Sequence, residues 1–122
     1  MNDYQGPVYE KSFEFALAIV ELYKQLVNQK EYVLSKQLLR SGTSVGANIV
    51  EASAAYSKGD FAYKMSVVSK EAREANWWLM LLKKSQLVTL DLNNEIESCD
   101  ELIKLLTAIV KTSQESLKKN KH

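Results

Sequence analysis

The sequence predicts an all-α fold, an antiparallel up-down-up-down four-helix bundle, and three observations carry that reading. Apolar residues recur at steps of three and four through four separate stretches, the spacing of one helix face. No stretch alternates apolar and polar residues with the period of two that a half-buried strand requires. The connections are only a few residues long, too short to carry the chain back along a helix, so consecutive helices should run antiparallel as neighbours.

The first helix is expected at about residues 8–28, after the turn signal Gly6-Pro7. Phe13, Ala16, Leu17, Val20, Tyr23 and Val27 read as its main, core-facing stripe, and Phe15, Ile19, Leu22 and Leu26 as a second stripe well round the cylinder. That arc is wider than a monomer needs, so the second stripe is assigned to contact with another subunit. The second helix, at 31–56, carries Leu34, Leu38, Ser41, Val45, Ile49, Ala52 and Tyr56 on one face. Its centre, Ser41 to Ala47, is made of small residues and includes Gly42 and Gly46. Each interior glycine costs about 1 kcal/mol of helix relative to alanine, so a kink or break is expected there. The GxxxG spacing also says that a neighbour comes close.

A turn at Ser57 to Asp60, with Asp60 as the cap, opens a third helix at 60–85. Phe61, Met65, Val68, Ala72, Ala75, Leu79 and Leu82 keep to one seam, while Tyr63, Trp77 and Leu81 fall on the opposite side and join the oligomer-interface candidates. The fourth helix, at 91–117 with Thr89 or Asp91 as caps, carries Leu92, Ile96, Cys99, Ile103, Leu106, Val110 and Leu117. Residues 118–122 read as a frayed basic tail. The 122 residues, 46% hydrophobic and 25% charged, suit a single domain, 1–122, able to bury a core without disulfides or a structural metal.

Little catalytic chemistry is on offer. The one histidine is the terminal His122, so a His-ligated metal, a histidine base and a triad all lack their central member. Glu71 and Glu74 lie a turn apart but are interleaved with Lys70 and Arg73, the pattern of an ion-paired surface. Cys99 falls on an apolar seam and reads as a buried thiol. No catalytic, metal or cofactor-binding residue is assigned, the protein is expected not to be an enzyme, and a carboxylate-based metal enzyme is the remote alternative. Sixteen basic against fifteen acidic residues leave a formal charge of +1, so nucleic-acid binding would need a local patch. Neither a leader nor an apolar run of membrane-spanning length is seen, and the single cysteine suits a reducing compartment; the expected location is the cytoplasm.

Arg40-Ser41, then Ser44-Val45-Gly46-Ala47-Asn48-Ile49 with Glu51-Ala52, then Phe61 with Lys64, and Lys70-Glu71-Ala72-Arg73-Glu74 leading to Trp77-Trp78-Leu79 together resemble the bacterial 23S ribosomal RNA intervening-sequence protein family. The motif residues carried by the resemblance are Arg40, Ser41, Asn48, Glu51, Glu71 and Glu74. The family commonly has proline where Gly46 stands and glycine where Ala52 stands. The resemblance implies a four-helix bundle assembling as a homopentamer, with no assigned biochemical role. It also extends to the accessory protein of diversity-generating retroelements, a basic pentamer, which would imply RNA, DNA or ribonucleoprotein as partner, with Arg40, Lys64, Lys70 and Arg73 as contacts. A homo-oligomeric scaffold or adaptor is the first expectation, and a nucleic-acid binder is the alternative.

Overall fold

The computed structural model describes residues 6–119. They form α1 (Pro7–Asn28), α2 (Leu34–Ser53), α3 (Lys58–Ser85) and α4 (Asn93–Lys119), with no strand among the described residues.

Each boundary has a local cause. Pro7 occupies the first turn of α1, where its missing N–H costs nothing. At the other end, the Lys30 N–H donates to the Val27 carbonyl and the Glu31 N–H to Leu26, both at 2.9 Å, with Lys30 in the left-handed region at φ 66°. This is a Schellman closure with lysine where glycine is usual. Glu31 then works from outside α2: its carboxylate accepts from the backbone N–H groups of Val33, Leu34 and Ser35 at 3.2, 3.0 and 2.6 Å. The helix expected from residue 31 therefore begins at Leu34, because Glu31 serves as its cap.

α2 also stops earlier than its apolar register suggested, at Ser53, and Tyr56, expected on its seam, is 88% exposed. Ser57, not Asp60, caps α3, its Oγ accepting from the Asp60 N–H at 3.0 Å. The Asp60 carboxylate reaches back to the Tyr56 N–H at 3.3 Å and also accepts from Lys64 Nζ at 2.8 Å. The two side chains satisfy donors on both sides of the turn, a capping-box arrangement, which moves the start of α3 to Lys58. Before α4, Asp91 Oδ1 accepts from the Asn93 N–H at 2.9 Å. Lys118 and Lys119, expected in a tail, form the last turn of α4, where cations suit the helix dipole. Residues 120–122, with His122, lie outside the described residues.

The helices pack in a square. α1 meets α2, α2 meets α3, α3 meets α4 and α4 returns to α1, with no close backbone approach across either diagonal. One shared core runs through all four, including Ile19, Leu22, Leu38, Val45, Met65, Leu79, Leu102 and Leu106. Cys99 is fully buried in it, and its thiol donates to the Ala72 carbonyl at 3.4 Å.

α2 does not break at its glycines. It continues through Gly42 and Gly46, neither of which has a positive φ. They admit α1 instead: a Cβ on Gly42 would stand 3.0 Å from Ile19 Cγ1, and one on Gly46 would stand 3.3 Å from Ser12 Oγ. The propensity cost is offset by close packing of two helices.

That contact also reverses the assignment of faces on α1. Phe15, Ile19, Leu22 and Leu26, expected at a subunit interface, are buried in the chain's own core at 0–2% exposure. Phe13 and Leu17, expected in the core, are 52% and 54% exposed. Ser12 continues the inward stripe, buried with its hydroxyl donating to the Tyr9 carbonyl at 2.7 Å. Small groups at Ser12, Gly42 and Gly46 draw this side of α1 against α2, and the opposite side turns outward.

Candidate interaction surfaces

The outward side of α1 presents Phe13 and Leu17, with the Tyr9 ring stacked on Phe13 at a centroid separation of 6.1 Å. A second apolar patch lies on α3. Tyr63 and Trp77 are 68% and 62% exposed there, and Trp77, Met80, Leu81 and the stem of Lys84 line a shallow apolar cleft. α1 and α3 are diagonal in the square, so the two patches face away from each other. The α3 placement agrees with the helical-wheel reading of Tyr63, Trp77 and Leu81, whereas the sequence reading chose the wrong side of α1. A signal was available: Ser12, Phe15, Ile19, Leu22 and Leu26 alternate steps of three and four without a break, as the buried seam of α3 does. The hydroxyl of Ser12 hid its membership.

Adjacent Trp77 and Trp78 have different fates. Trp78 is half-buried and its Nε1–H donates to Glu74 Oε2 at 3.1 Å. Glu74 also binds the Arg40 guanidinium, which approaches Glu71 Oε1 at 3.6 Å. Arg40 thus ties α2 to α3 through two carboxylates, as expected of an ion-paired rather than an acid-base pair. Glu71 Oε1 is buried without a hydrogen-bond partner, so the 3.6 Å approach is its compensation. Other motif residues act within α2. The buried Ser41 hydroxyl donates to the Gln37 carbonyl at 3.0 Å, and Asn48 Nδ2 donates to the Ser44 carbonyl at 2.9 Å. Glu51 is exposed.

The four cations considered for nucleic acid do not form one free patch. Arg40 is held by Glu71 and Glu74, and Lys64 by Asp60 while it also lies 6.0 Å over the Tyr56 ring. The hydrogen bond to Lys64 holds the Asp60 carboxyl below its ordinary value, and the same bond raises Lys64. Arg73 is exposed and donates to Thr107 Oγ1 at 3.1 Å, tying α3 to α4, and Lys70 is exposed. Burial pushes the Cys99 thiol up to about 12, which keeps it protonated and unreactive near neutrality. Among the described residues, no group of three His, Cys, Asp or Glu side chains is placed to share a metal ion. No described helix is long and apolar enough to cross a membrane.

Four helices around a common core, with exposed aromatic and ion-paired side chains on the outer faces, define an all-α helical-bundle protein. The chain belongs to the 23S rRNA-intervening sequence protein family, whose model matches residues 5–108. It is similar to a solved structure from Bacteroides thetaiotaomicron VPI-5482, a protein with unknown function from the S23 ribosomal protein family. The two are 50% identical with a TM-score of 0.81, over 85% of this chain and 98% of that one. No curated protein matches the chain.

Proposed function

We propose that this chain is one subunit of a nonenzymatic homo-oligomeric scaffold or adaptor in the cytoplasm, a closed ring of antiparallel up-down-up-down bundles. The observation that carries the proposal is the pair of apolar patches, Phe13 and Leu17 on α1 and Trp77 and Leu81 on α3, on diagonal helices. Monomeric proteins rarely leave several large apolar groups together in water. A two-fold dimer pairs one patch with itself and leaves the other wet, whereas a head-to-tail contact joins unlike patches and closes into a ring. Five subunits is the number that the family resemblance implies. The antiparallel reading is supported by residue order at the contacts: Gly42 lies against Ile19 and Gly46 against Ser12, while Ala72 meets Cys99 and Phe61 lies near Thr112.

Light scattering coupled to size exclusion at micromolar concentration tests the ring, and a monomer mass overturns it. Trp77→Asp and Leu17→Asp should each dissociate the assembly and leave the helical circular dichroism intact, because neither side chain belongs to the core. An RNA, DNA or ribonucleoprotein partner has weaker support, since Arg40 and Lys64 are already engaged by carboxylates. That alternative gains only if the assembled protein retards structured RNA or DNA with a steep salt dependence.

A further inference from the structure

Arg40 and Lys64 are spent on carboxylates, but Arg73 is not. Its Nη2 donates to the neutral hydroxyl of Thr107 at 3.1 Å, which holds an uncompensated guanidinium against the exposed side of α4. Thr107 stands three residues after Lys104 and four before Lys111, so both lysines share its side of the helix, and Lys118 follows Lys111 by a further seven. A seven-residue step turns back by only about 20°, which leaves Lys104, Lys111 and Lys118 in one row at intervals of about 10.5 Å, with Arg73 anchored between the first two.

All four side chains are exposed, and none has a carboxylate partner among the described residues. Asp100 and Glu115 each lie four residues from a lysine of the row without closing an ion pair. The helix also divides its charge along its length. Four acids precede Lys104 in α4, whereas from Lys104 to Lys119 the only acid is Glu115. Cations in the last turn suit the helix dipole, but that effect fades within a turn and does not reach Lys104 or Lys111. Lys111 and Lys118 lie beyond residues 5–108, so the row is not something the family match carries over.

We infer that this row binds the phosphodiester backbone of a nucleic acid, with Arg73, Lys104, Lys111 and Lys118 each meeting a phosphate. Its step of about 10.5 Å is close to the rise of three nucleotides along one strand of duplex DNA, about 10 Å. An acidic peptide helix would bring apolar side chains that need a hollow, and between these cations stand Thr107 and Gln114, both polar and exposed. Contacts to phosphate position a strand without reading its bases, so binding should be independent of sequence. The site goes beyond the scaffold reading and does not depend on it, since none of its four residues belongs to the patches assigned to assembly. Lys70, which lies between Tyr63 and Trp77 on that face of α3, is left out for the same reason.

The test reads fluorescence anisotropy of a labelled RNA hairpin and a labelled DNA duplex against the full chain, from about 50 to about 200 mM salt. Binding should weaken about a hundredfold over that range, as four phosphate contacts require, and more where several subunits engage one strand. Lys104→Gln and Lys111→Gln should each weaken binding several-fold at the lower salt and make the logarithmic salt slope shallower by about one. Lys36→Gln, an exposed position on α2, should change neither. All three are surface positions and should keep the wild-type melting temperature, so a loss of binding is not a loss of fold. Equal affinity for RNA and DNA supports contacts to phosphate, and a preference within that pattern names the polymer. The proposal is overturned if neither oligonucleotide binds at low salt with about 100 μM protein, or if Lys36→Gln weakens binding as much as Lys111→Gln does. It is also overturned if phosphatidylserine vesicles or polyglutamate bind more tightly than either oligonucleotide and lose that binding in Lys111→Gln. A monomer mass by light scattering would sink the ring and leave these readouts unchanged.

Discussion

The inward and outward sides of α1 are built from the same chemistry and have opposite fates. Phe15 and Ile19 are almost wholly buried, and Phe13 and Leu17, each two positions away, are half-exposed. The difference is not hydrophobicity but what stands opposite. On one side Gly42 and Gly46 of α2 have no side chains and let the α1 backbone approach; on the other no described element covers it. α3 repeats the contrast, with Ala72, Ala75 and Leu79 buried and Trp77 exposed. A wide apolar arc therefore says that a helix has more than one neighbour. It does not say which side meets the chain's own core.

Stability measurements should separate the two sides most strongly at Ile19 and Leu17. Ile19→Ala removes a buried side chain and should cost about 2–5 kcal/mol by urea unfolding. Leu17→Ala, measured under conditions that dissociate any assembly, should stay within about 0.5 kcal/mol. Equal costs would erase the distinction between the faces.

The contact that sets the distinction can be probed from α2. Gly42→Ala gains up to about 1 kcal/mol of helix propensity but drives a methyl group to 3.0 Å from Ile19, where overpacking costs about 1–3 kcal/mol. Net destabilisation is expected. Gly46→Ala meets the Ser12 hydroxyl at 3.3 Å and other Ser12 atoms at ordinary contact distances of 3.8 and 3.9 Å, and should be close to neutral or stabilising. If Gly42→Ala stabilises the fold by about 1 kcal/mol, the close approach of α1 is not what orients it.

The smallest effects belong to the polar exterior, where Asp60 and Lys64 hold the α2–α3 corner. Asp60 titrates below its ordinary value of 3.8, so its contribution is present above that pH and is lost as pH falls through the lowered value. Lys64 titrates above its ordinary 10.5, so its contribution is present below that pH and is lost as pH rises through the raised value. The pair sits at the surface, with Lys64 partly exposed and Asp60 less so, so Asp60→Asn should lower the melting temperature modestly and flatten its acid limb relative to wild type. A loss comparable to that of Ile19→Ala would show that the corner, rather than the seam, holds the bundle together.

Much of the candidate surface was legible before the structure. Tyr63 and Trp77 are placed outside by arithmetic at 100° per residue, because the seam of α3 is unambiguous. Arg40 was legible as a charge but not as a clamp, since Glu71 and Glu74 lie on another helix and only packing brings them within reach. The hollow between the α2–α3 corner and the last turns of α4, lined by Ala52, Tyr56, Phe61 and Thr112 among others, was not legible at all. It depends on α2 ending at Ser53 and α4 running on to Lys119, boundaries set by the Ser57 and Asp60 cap and by the last turn of α4.

By itself the sequence determined that the chain is all-helical with four helices, which seam runs along α3 and along α2 as far as Ala52, that Cys99 and Leu106 line α4's inner face though it passed over buried Leu102, and which family the chain belongs to. Those properties are periodic or local, and they survive without knowledge of the neighbours. Only the tertiary structure decided which side of α1 turns inward, whether α2 bends at its glycines and which cations remain free. Each of these depends on atoms from two helices at once, and a one-dimensional pattern does not say how closely those helices meet.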